Sequence, residues 1–333
     1  MKEPFTVEGL FELLRDTLQL EVVIQSDGPG RGFAREVTSP EVASPGLVLA
    51  GYTDRFVGHR LQVLGETEVT YLASLTREAR AAILSRFFSF DIPALVVTKG
   101  QDLPEGLDAA AEAAGVSVLR SPLKTNEFYR RIKPVLEDRF APATTLHGSL
   151  ADVFGVGLLF VGKSGIGKSE CVLDLVERGH RLVADDLVLI KQQGNDVLVG
   201  RGHELQRHFM EVRGIGLIDV RAIFGIRAVR VQKRIEVVVQ LEEWNQEAVV
   251  ERTGLDGVTM TILDVPLPKI TVPLNPGKNI TVVAEVIAMN HLLRYATGVD
   301  AARDFNDRLI ERMREAGVRR TASVEQYLQE DYE

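Results

Sequence analysis

The chain has 333 residues, of which 45% are hydrophobic and 6% aromatic, enough for two domains that each bury a core. Its 47 Asp and Glu against 39 Lys and Arg give a net charge of −8, which disfavours nucleic acid and anionic membranes as partners because an acidic surface repels both. Cys171 is the single cysteine, the N-terminal stretch lacks a signal-peptide core, and no apolar run reaches the roughly 18 residues that span a bilayer. We therefore expect a soluble, cytoplasmic protein.

The first 135 residues alternate short β-like runs with helical periodicities, which predicts an N-terminal α/β domain of unclear role. Strands are predicted at 20–24, 68–72, 94–98 and 117–120, and helices at 75–88, 105–115 and 126–140. Pro142 lies among small residues, so residues 136–145 are interpreted as a linker. The second domain is then predicted to cover residues 146–333.

A phosphate-binding loop follows the predicted strand at 157–161. Its glycines allow backbone N–H groups to approach phosphate oxygens, Lys168 supplies a cation for the β and γ phosphates, and the Ser169 hydroxyl is small enough to bind Mg²⁺. The predicted helix at 170–179 places those phosphates at the positive end of its dipole. Eight consecutive residues match every fixed position of the P-loop pattern and are predicted to bind nucleotide: Gly162, Lys163, Ser164, Gly165, Ile166, Gly167, Lys168 and Ser169.

Two adjacent carboxylates, Asp185 and Asp186, follow the apolar stretch 181–184. Ligands bind at strand ends in α/β sheets, so we expect both to face the same crevice as the P-loop. Neighbouring side chains on a strand point in opposite directions, which favours divided labour: one carboxylate near the metal, the other toward the acceptor hydroxyl. The alternative is an exposed turn.

The segment 210–219 combines Glu211, Arg213 and two glycines within an apolar stretch. Glu211 is a candidate second oxygen ligand for Mg²⁺, directly or through water. The residues alone leave two interpretations open, a metal-site loop and a strand with surface charges.

Taken together, four stretches resemble the HPr kinase/phosphorylase family, whose members phosphorylate and dephosphorylate a seryl residue of the phosphocarrier protein HPr and so regulate carbon metabolism. They are LHGSLADVFGVGLLFVGKSGIGKSE, ERGHRLVADD, MEVRGIGLIDV and VPLPKITVPLNPGKNITVVAEVIAMN. In the first half, LAGYTDRFVGHRLQVLGETEV and GVSVLRSPLKTNEFYRRIKPVLEDRFAPATTLHG are also similar to that family. The resemblance thus covers most of the chain.

This resemblance implies roles for individual residues. The catalytic residues would be His147, Lys168, Asp186 and Arg252, and Mg²⁺ would be held by Ser169 and Glu211. Asp186 would accept the seryl proton in the kinase reaction, and its protonated form would return a proton when inorganic phosphate removes the phosphoryl group. The segment 210–219 would serve both reactions, and the loop 273–278 would favour dephosphorylation.

The overall prediction is an α/β protein: an N-terminal α/β domain followed by a P-loop kinase domain with C-terminal helices, including an amphipathic one at 301–317. The resemblance implies ATP or pyrophosphate as phosphoryl donor, Mg²⁺ as cofactor, HPr and inorganic phosphate as partners, and a homohexamer. Two other functions compete with this one. A P-loop small-molecule kinase is disfavoured by the segment 210–219, and a non-catalytic nucleotide sensor would tolerate loss of the Asp186 charge.

Overall fold

The computed structural model describes residues 4–26, 31–244, 257–274 and 279–315. The chain forms two compact units whose boundary lies between Ala141 and Pro142. The segment predicted as a linker, 136–145, is mostly regular structure: a helix continues to Phe140 and a strand begins at Ala143, which leaves two residues between them. Each unit is described by itself.

The N-terminal unit contains a five-stranded sheet with the order β1-β5-β4-β3-β2. Its four neighbouring strands β2 to β5 are parallel, and β1 runs antiparallel to β5 at the edge. The strands are β1 (Glu21–Ile24), β2 (Val42–Ala43), β3 (Leu61–Leu64), β4 (Ala94–Val97) and β5 (Ser117–Arg120).

Helices cover both faces of this sheet. Those of the unit are α1 (Val7–Leu18), α2 (Gly46–Leu49), α3 (Glu66–Ser74), α4 (Arg77–Phe88), α5 (Leu107–Ala114) and α6 (Thr125–Phe140). Helices α1 and α6 bury Leu14 and Phe128 against one face, where Val96 points, and α4 and α5 pack on the other face, where Val97 points. Burial on both faces explains why β4, in the middle of the sheet, is apolar throughout.

The strand predicted at 68–72 is wrong, because these residues belong to α3. The backbone N–H of Gly65 donates to the Glu68 carboxylate at 2.9 Å, which satisfies a free donor at the helix start. The true strand, β3, precedes this cap. A local capping signal therefore outweighs the β-branched composition of the run.

The C-terminal unit contains a six-stranded sheet, β16-β17-β15-β8-β7-β9, a four-stranded sheet, β14-β11-β10-β6, and a hairpin, β12-β13. The strands of the first sheet are β7 (Ser149–Val153), β8 (Val156–Val161), β9 (Arg181–Ala184), β15 (Val237–Glu243), β16 (Thr259–Ile262) and β17 (Val265–Leu274). The others are β6 (Ala143–His147), β10 (Leu187–Gln193), β11 (Val197–Arg201), β12 (Phe209–Val212), β13 (Gly216–Asp219) and β14 (Gln232–Arg234).

The central strands β7 and β8 of the six-stranded sheet are buried on both faces. Phe160 of β8 packs toward the helices α7 (Lys168–Glu177) and α9 (Ile280–Thr297), while its neighbour Leu159 packs toward residues of the four-stranded sheet such as Ile190. Two further helices are α8 (Val220–Phe224) and α10 (Ala301–Glu315). Within the described residues, no helix is both long and apolar enough to cross a membrane.

Candidate active site

The P-loop joins β8 to α7, as its pattern predicts. Gly167 caps α7 with a φ of 101°, and Gly165 has a φ of 79°. A residue with a side chain would be strained at either angle. The ammonium group of Lys168 donates to two carbonyls of the loop, Gly162 O at 3.0 Å and Lys163 O at 2.9 Å. The Lys168 ammonium therefore lies at the loop that is predicted to bind the phosphates.

The backbone passes between the four-stranded and the six-stranded sheet at two places that lie next to each other. Gly148 alone separates β6 from β7, and Asp185 with Asp186 separates β9 from β10. The two crossings lie side by side, because the Gly148 N–H donates to Asp186 O at 3.0 Å and the β10 residue Leu187 pairs with His147 of β6. The polar residues of both crossings therefore meet at one edge.

Asp185 points inward at this edge and is 7% exposed. Its Oδ1 accepts hydrogen bonds from Ser149 Oγ at 2.5 Å and from Ser169 Oγ at 3.0 Å. Its Oδ2 is buried without a hydrogen-bond partner in the described part of the chain. Burial raises the pKa of the Asp185 carboxyl, and the two serine hydrogen bonds oppose that shift.

Asp186 points outward, with 64% of its side chain exposed. Its φ of 63° is left-handed, so the chain turns sharply here as it leaves one sheet for the other. The Asp186 Oδ1 lies 3.8 Å from Nδ1 of His147, whose side chain is 81% exposed. The adjacent carboxylates thus occupy different environments, one against the P-loop serine and one open to an incoming group.

The sequence predicts that both acids face the P-loop and that one of them lies near the metal, but it does not single out Asp185 as a metal ligand. The available signal was its position: the first residue after a buried strand, next to a P-loop. His147 was found only through the family resemblance, since no local pattern singles out a histidine before a glycine.

Glu211, predicted as a metal ligand, lies in the middle of β12 directly opposite Leu217 of β13. It is exposed, and its neighbours Met210 and Val212 are buried on the other face of the hairpin. Within the described residues the Glu211 carboxylate makes no hydrogen bond or ion pair, and no cluster of three His, Cys, Asp or Glu side chains is positioned to hold a metal. The segment 210–219 is a hairpin with surface charges on one face.

Arg252 lies outside the described residues, and so do residues 275–278 of the predicted phosphorylase loop. The first two residues of that loop, Pro273 and Leu274, end β17.

An oxygen-rich environment for a divalent cation exists beside the P-loop. Ser169 Oγ and the Asp185 carboxylate lie together, and hard cations such as Mg²⁺ prefer oxygen ligands. The unpartnered Oδ2 of Asp185 provides a further acceptor. These residues fit Mg²⁺.

Two family models together match most of the chain: the HPr Serine kinase N terminus over residues 6–136 and the HPr Serine kinase C-terminal domain over residues 138–309. The chain belongs to the HPr kinase/phosphorylase family. The predictions of the family and of an α/β fold with an N-terminal domain before a kinase domain are confirmed.

Individual family members resemble the chain along nearly its whole length. The HPr kinase/phosphorylase of Geobacter sulfurreducens is 44% identical over 303 residues, which cover 91% of this chain and 94% of the relative. That of Prosthecochloris aestuarii is 41% identical over 333 residues, 100% of this chain and 97% of the relative. A solved structure, the Hpr(Ser) kinase/phosphatase from Coxiella burnetii, shares 33% identity over 49% of this chain and 98% of its own, with a TM-score of 0.44.

Proposed function

We propose that this enzyme transfers a phosphoryl group from ATP or pyrophosphate to a seryl residue of HPr with Mg²⁺, and removes it again with inorganic phosphate. The observation that carries the proposal is the contrast between Asp185, buried against Ser169, and Asp186, exposed beside His147. The two-residue turn between β9 and β10 thus offers both a ligand for a cation and a base that can take the proton of an acceptor hydroxyl.

Asp186 would act as the base. The seryl oxygen attacks the terminal phosphorus of the donor, its new O–P bond forms as the bridging P–O bond breaks, and the seryl proton passes to the Asp186 carboxylate. His147, 3.8 Å away, would orient that carboxylate. Since Asp186 is exposed, a side chain carried by another protein can reach it.

The reverse reaction uses the same groups. An oxygen of inorganic phosphate attacks the phosphorus of phosphoserine and the seryl O–P bond breaks, which yields pyrophosphate. Protonated Asp186 returns its proton to the seryl oxygen. Microscopic reversibility requires that one group serve both directions.

Ser169 and Asp185 would hold Mg²⁺, with Glu211 as a further predicted ligand. When bound, the cation neutralises charge on the transferred phosphoryl group. Lys168 would exchange its bonds to Gly162 O and Lys163 O for bonds to phosphate oxygens. Arg252 remains a predicted catalytic residue.

We further propose that the enzyme is a cytoplasmic homohexamer that regulates carbon metabolism through HPr. Exposed apolar side chains along α9 support self-association, because a surface of this kind is stabilised by a partner. They are Val282, Val286, Met289, Leu292, Leu293 and Tyr295.

The test is transfer of labelled phosphate from ATP, and separately from pyrophosphate, to purified HPr with Mg²⁺. We expect seryl-linked label that disappears when inorganic phosphate is added. Asp186→Asn should lower transfer by about 10²- to 10⁴-fold with nucleotide binding retained, and Asp196→Asn, an exposed carboxylate in the β10–β11 turn, should transfer like wild type. Wild-type protein that binds ATP but never labels HPr would contradict the proposal.

A further inference from the structure

Arg213 lies at the turn of the β12–β13 hairpin and contacts the P-loop. A Cβ built on Gly165 would lie 2.6 Å from the Arg213 Cζ and closer still to both terminal nitrogens. Because the nitrogens are nearer than Cζ, the guanidinium points its two-nitrogen fork at Gly165. The glycine therefore serves a second purpose beyond its left-handed φ, since any side chain at 165 would displace Arg213.

The guanidinium of Arg213 makes no hydrogen bond or ion pair with any described residue. Two other arginines of this unit, by contrast, are paired: Arg230 donates to Asp152 at 2.7 Å, and Arg178 donates to Glu285. A fork that is held against a phosphate-binding loop but has no acceptor of its own fits two oxygens of an anion.

The hairpin fixes the position of this arginine. Met210 and Val212 of β12 are buried in the core that also contains Val172 of α7. The Ile215 N–H closes the turn onto Val212 O at 3.1 Å. Arg213 follows directly after the buried residue Val212, so the backbone holds its side chain near the P-loop. Because the arginine is positioned in advance, less side-chain conformational entropy is lost when a ligand binds than for a residue on a free loop.

We propose that Arg213 is a polyphosphate-binding residue: its guanidinium grips the phosphoryl donor at Gly165, together with the loop amides and Lys168. In the reverse reaction it would grip the pyrophosphate as it forms. The inference rests on the proposed function and specifies how that site recognises its donor. Recognition by charge and fork geometry needs no base or sugar, which suits a site that accepts pyrophosphate as well as ATP.

Binding of pyrophosphate with Mg²⁺, measured by titration calorimetry without HPr, tests the inference directly. We expect Arg213→Ala to weaken binding about 10- to 100-fold, the range for lost charged hydrogen bonds. Arg213→Lys should recover only part of this loss, because an ammonium keeps the charge without the fork. The matched control is Arg227→Ala, an exposed arginine in the turn after α8, which should bind like wild type.

A second variant tests whether Arg213 acts through its contact with Gly165. Gly165→Ala should displace the guanidinium, so adding Arg213→Ala to it should cost little more, whereas independent sites would give additive losses. Thermal unfolding of each variant without ligand shows whether the fold is kept. Equal pyrophosphate affinity of Arg213→Ala and wild type would overturn the inference, and so would additive losses in the double variant.

The outcomes also distinguish this inference from the proposed function. Wild-type protein that binds pyrophosphate through Arg213 but leaves HPr unlabelled would contradict the proposed function alone. Wild-type protein that binds no pyrophosphate would overturn the inference itself, even if HPr is labelled from ATP.

Discussion

The two units differ in the hydrogen bonding of the polar side chains that follow their strands. In the N-terminal unit the group after β4, Thr98, donates to Leu64 O at 3.1 Å and lies 2.7 Å from the Thr125 hydroxyl, while Ser121 after β5 donates to Leu18 O at 2.6 Å. In the C-terminal unit the group after β9, Asp185, retains a buried oxygen without a partner in the described residues. We call a strand end closed where the polar side chain that follows the strand is hydrogen-bonded, as in the N-terminal unit. We call it open where that side chain keeps a buried oxygen without a partner, as Asp185 does.

Two buried charged residues, Arg80 in the N-terminal unit and Asp185 in the C-terminal unit, show the same difference. Arg80 in α4 is 7% exposed and donates to the carbonyls of Leu72, Leu75 and Glu105, and also to the Glu105 carboxylate at 2.5 Å. Asp185 is equally buried but only half satisfied. Buried atoms without a partner also occur elsewhere among the described residues, at Gln62 Oε1 and Asp152 Oδ1. What distinguishes Asp185 is that its unpartnered oxygen lies at the end of a strand, beside the P-loop serine.

Asp185→Asn tests this difference most strongly. We expect phosphoryl transfer to HPr to fall by about 100-fold, the upper range for losing a group that supports a metal site. The free energy of unfolding without divalent cations should not fall, because the substitution removes a buried charge that has an unpartnered oxygen. The measurements are initial transfer rates and denaturant unfolding in EDTA. A large loss of stability would mean that Asp185 is a structural residue.

Arg80→Ala makes the opposite test in the N-terminal unit. Several carbonyls and the Glu105 carboxylate would lose their donor, so we expect this unit to lose about 2–4 kcal/mol of stability. The transfer rate of the folded enzyme should change less than twofold. Urea unfolding measures the first and labelled transfer the second. Arg86→Ala, exposed on the same helix, is the control and should change neither.

Glu285 provides a prediction about pH. Hydrogen bonds from Arg178 and from His180 lower the pKa of the Glu285 carboxyl from 4.5 to about 2. A lowered pKa means that the folded state favours the charged form, so this stabilisation is complete above pH 4.5 and is lost as the pH falls from 4.5 toward 2. The contact joins α9 to the end of α7.

We therefore expect Glu285→Gln to lower the melting temperature at pH 7 and to lose less stability than wild type between pH 4.5 and 2. Melting curves across that range measure both effects. Glu177→Gln, an exposed acid on α7, serves as control. Parallel curves for wild type and Glu285→Gln would show that the ion pair contributes nothing.

Much of this architecture could be predicted from local sequence. The P-loop, α7 and the strand before it follow from glycine spacing and apolar runs, and α9 and α10 follow from their periodicity. The site could be predicted only in part. His147 approaches Asp186 because the chain passes between the two sheets at Gly148 and again, 38 residues later, at Asp186. Arg213 contacts Gly165 because the β12–β13 hairpin, distant in sequence, packs near the P-loop. Such long-range contacts leave no local signal.

The smallest predicted effect concerns the closed strand end of the N-terminal unit. Thr98→Val keeps the shape of a fully buried side chain but removes the hydroxyl shared by Leu64 O and Thr125, so we expect a loss of about 1 kcal/mol in stability. Thr70→Val, exposed on α3, should change stability by less than half of that. Neither should alter phosphoryl transfer. If Thr98→Val instead slowed transfer at unchanged stability, the strand ends of the N-terminal unit would carry a functional role, and the contrast between closed and open ends would fail.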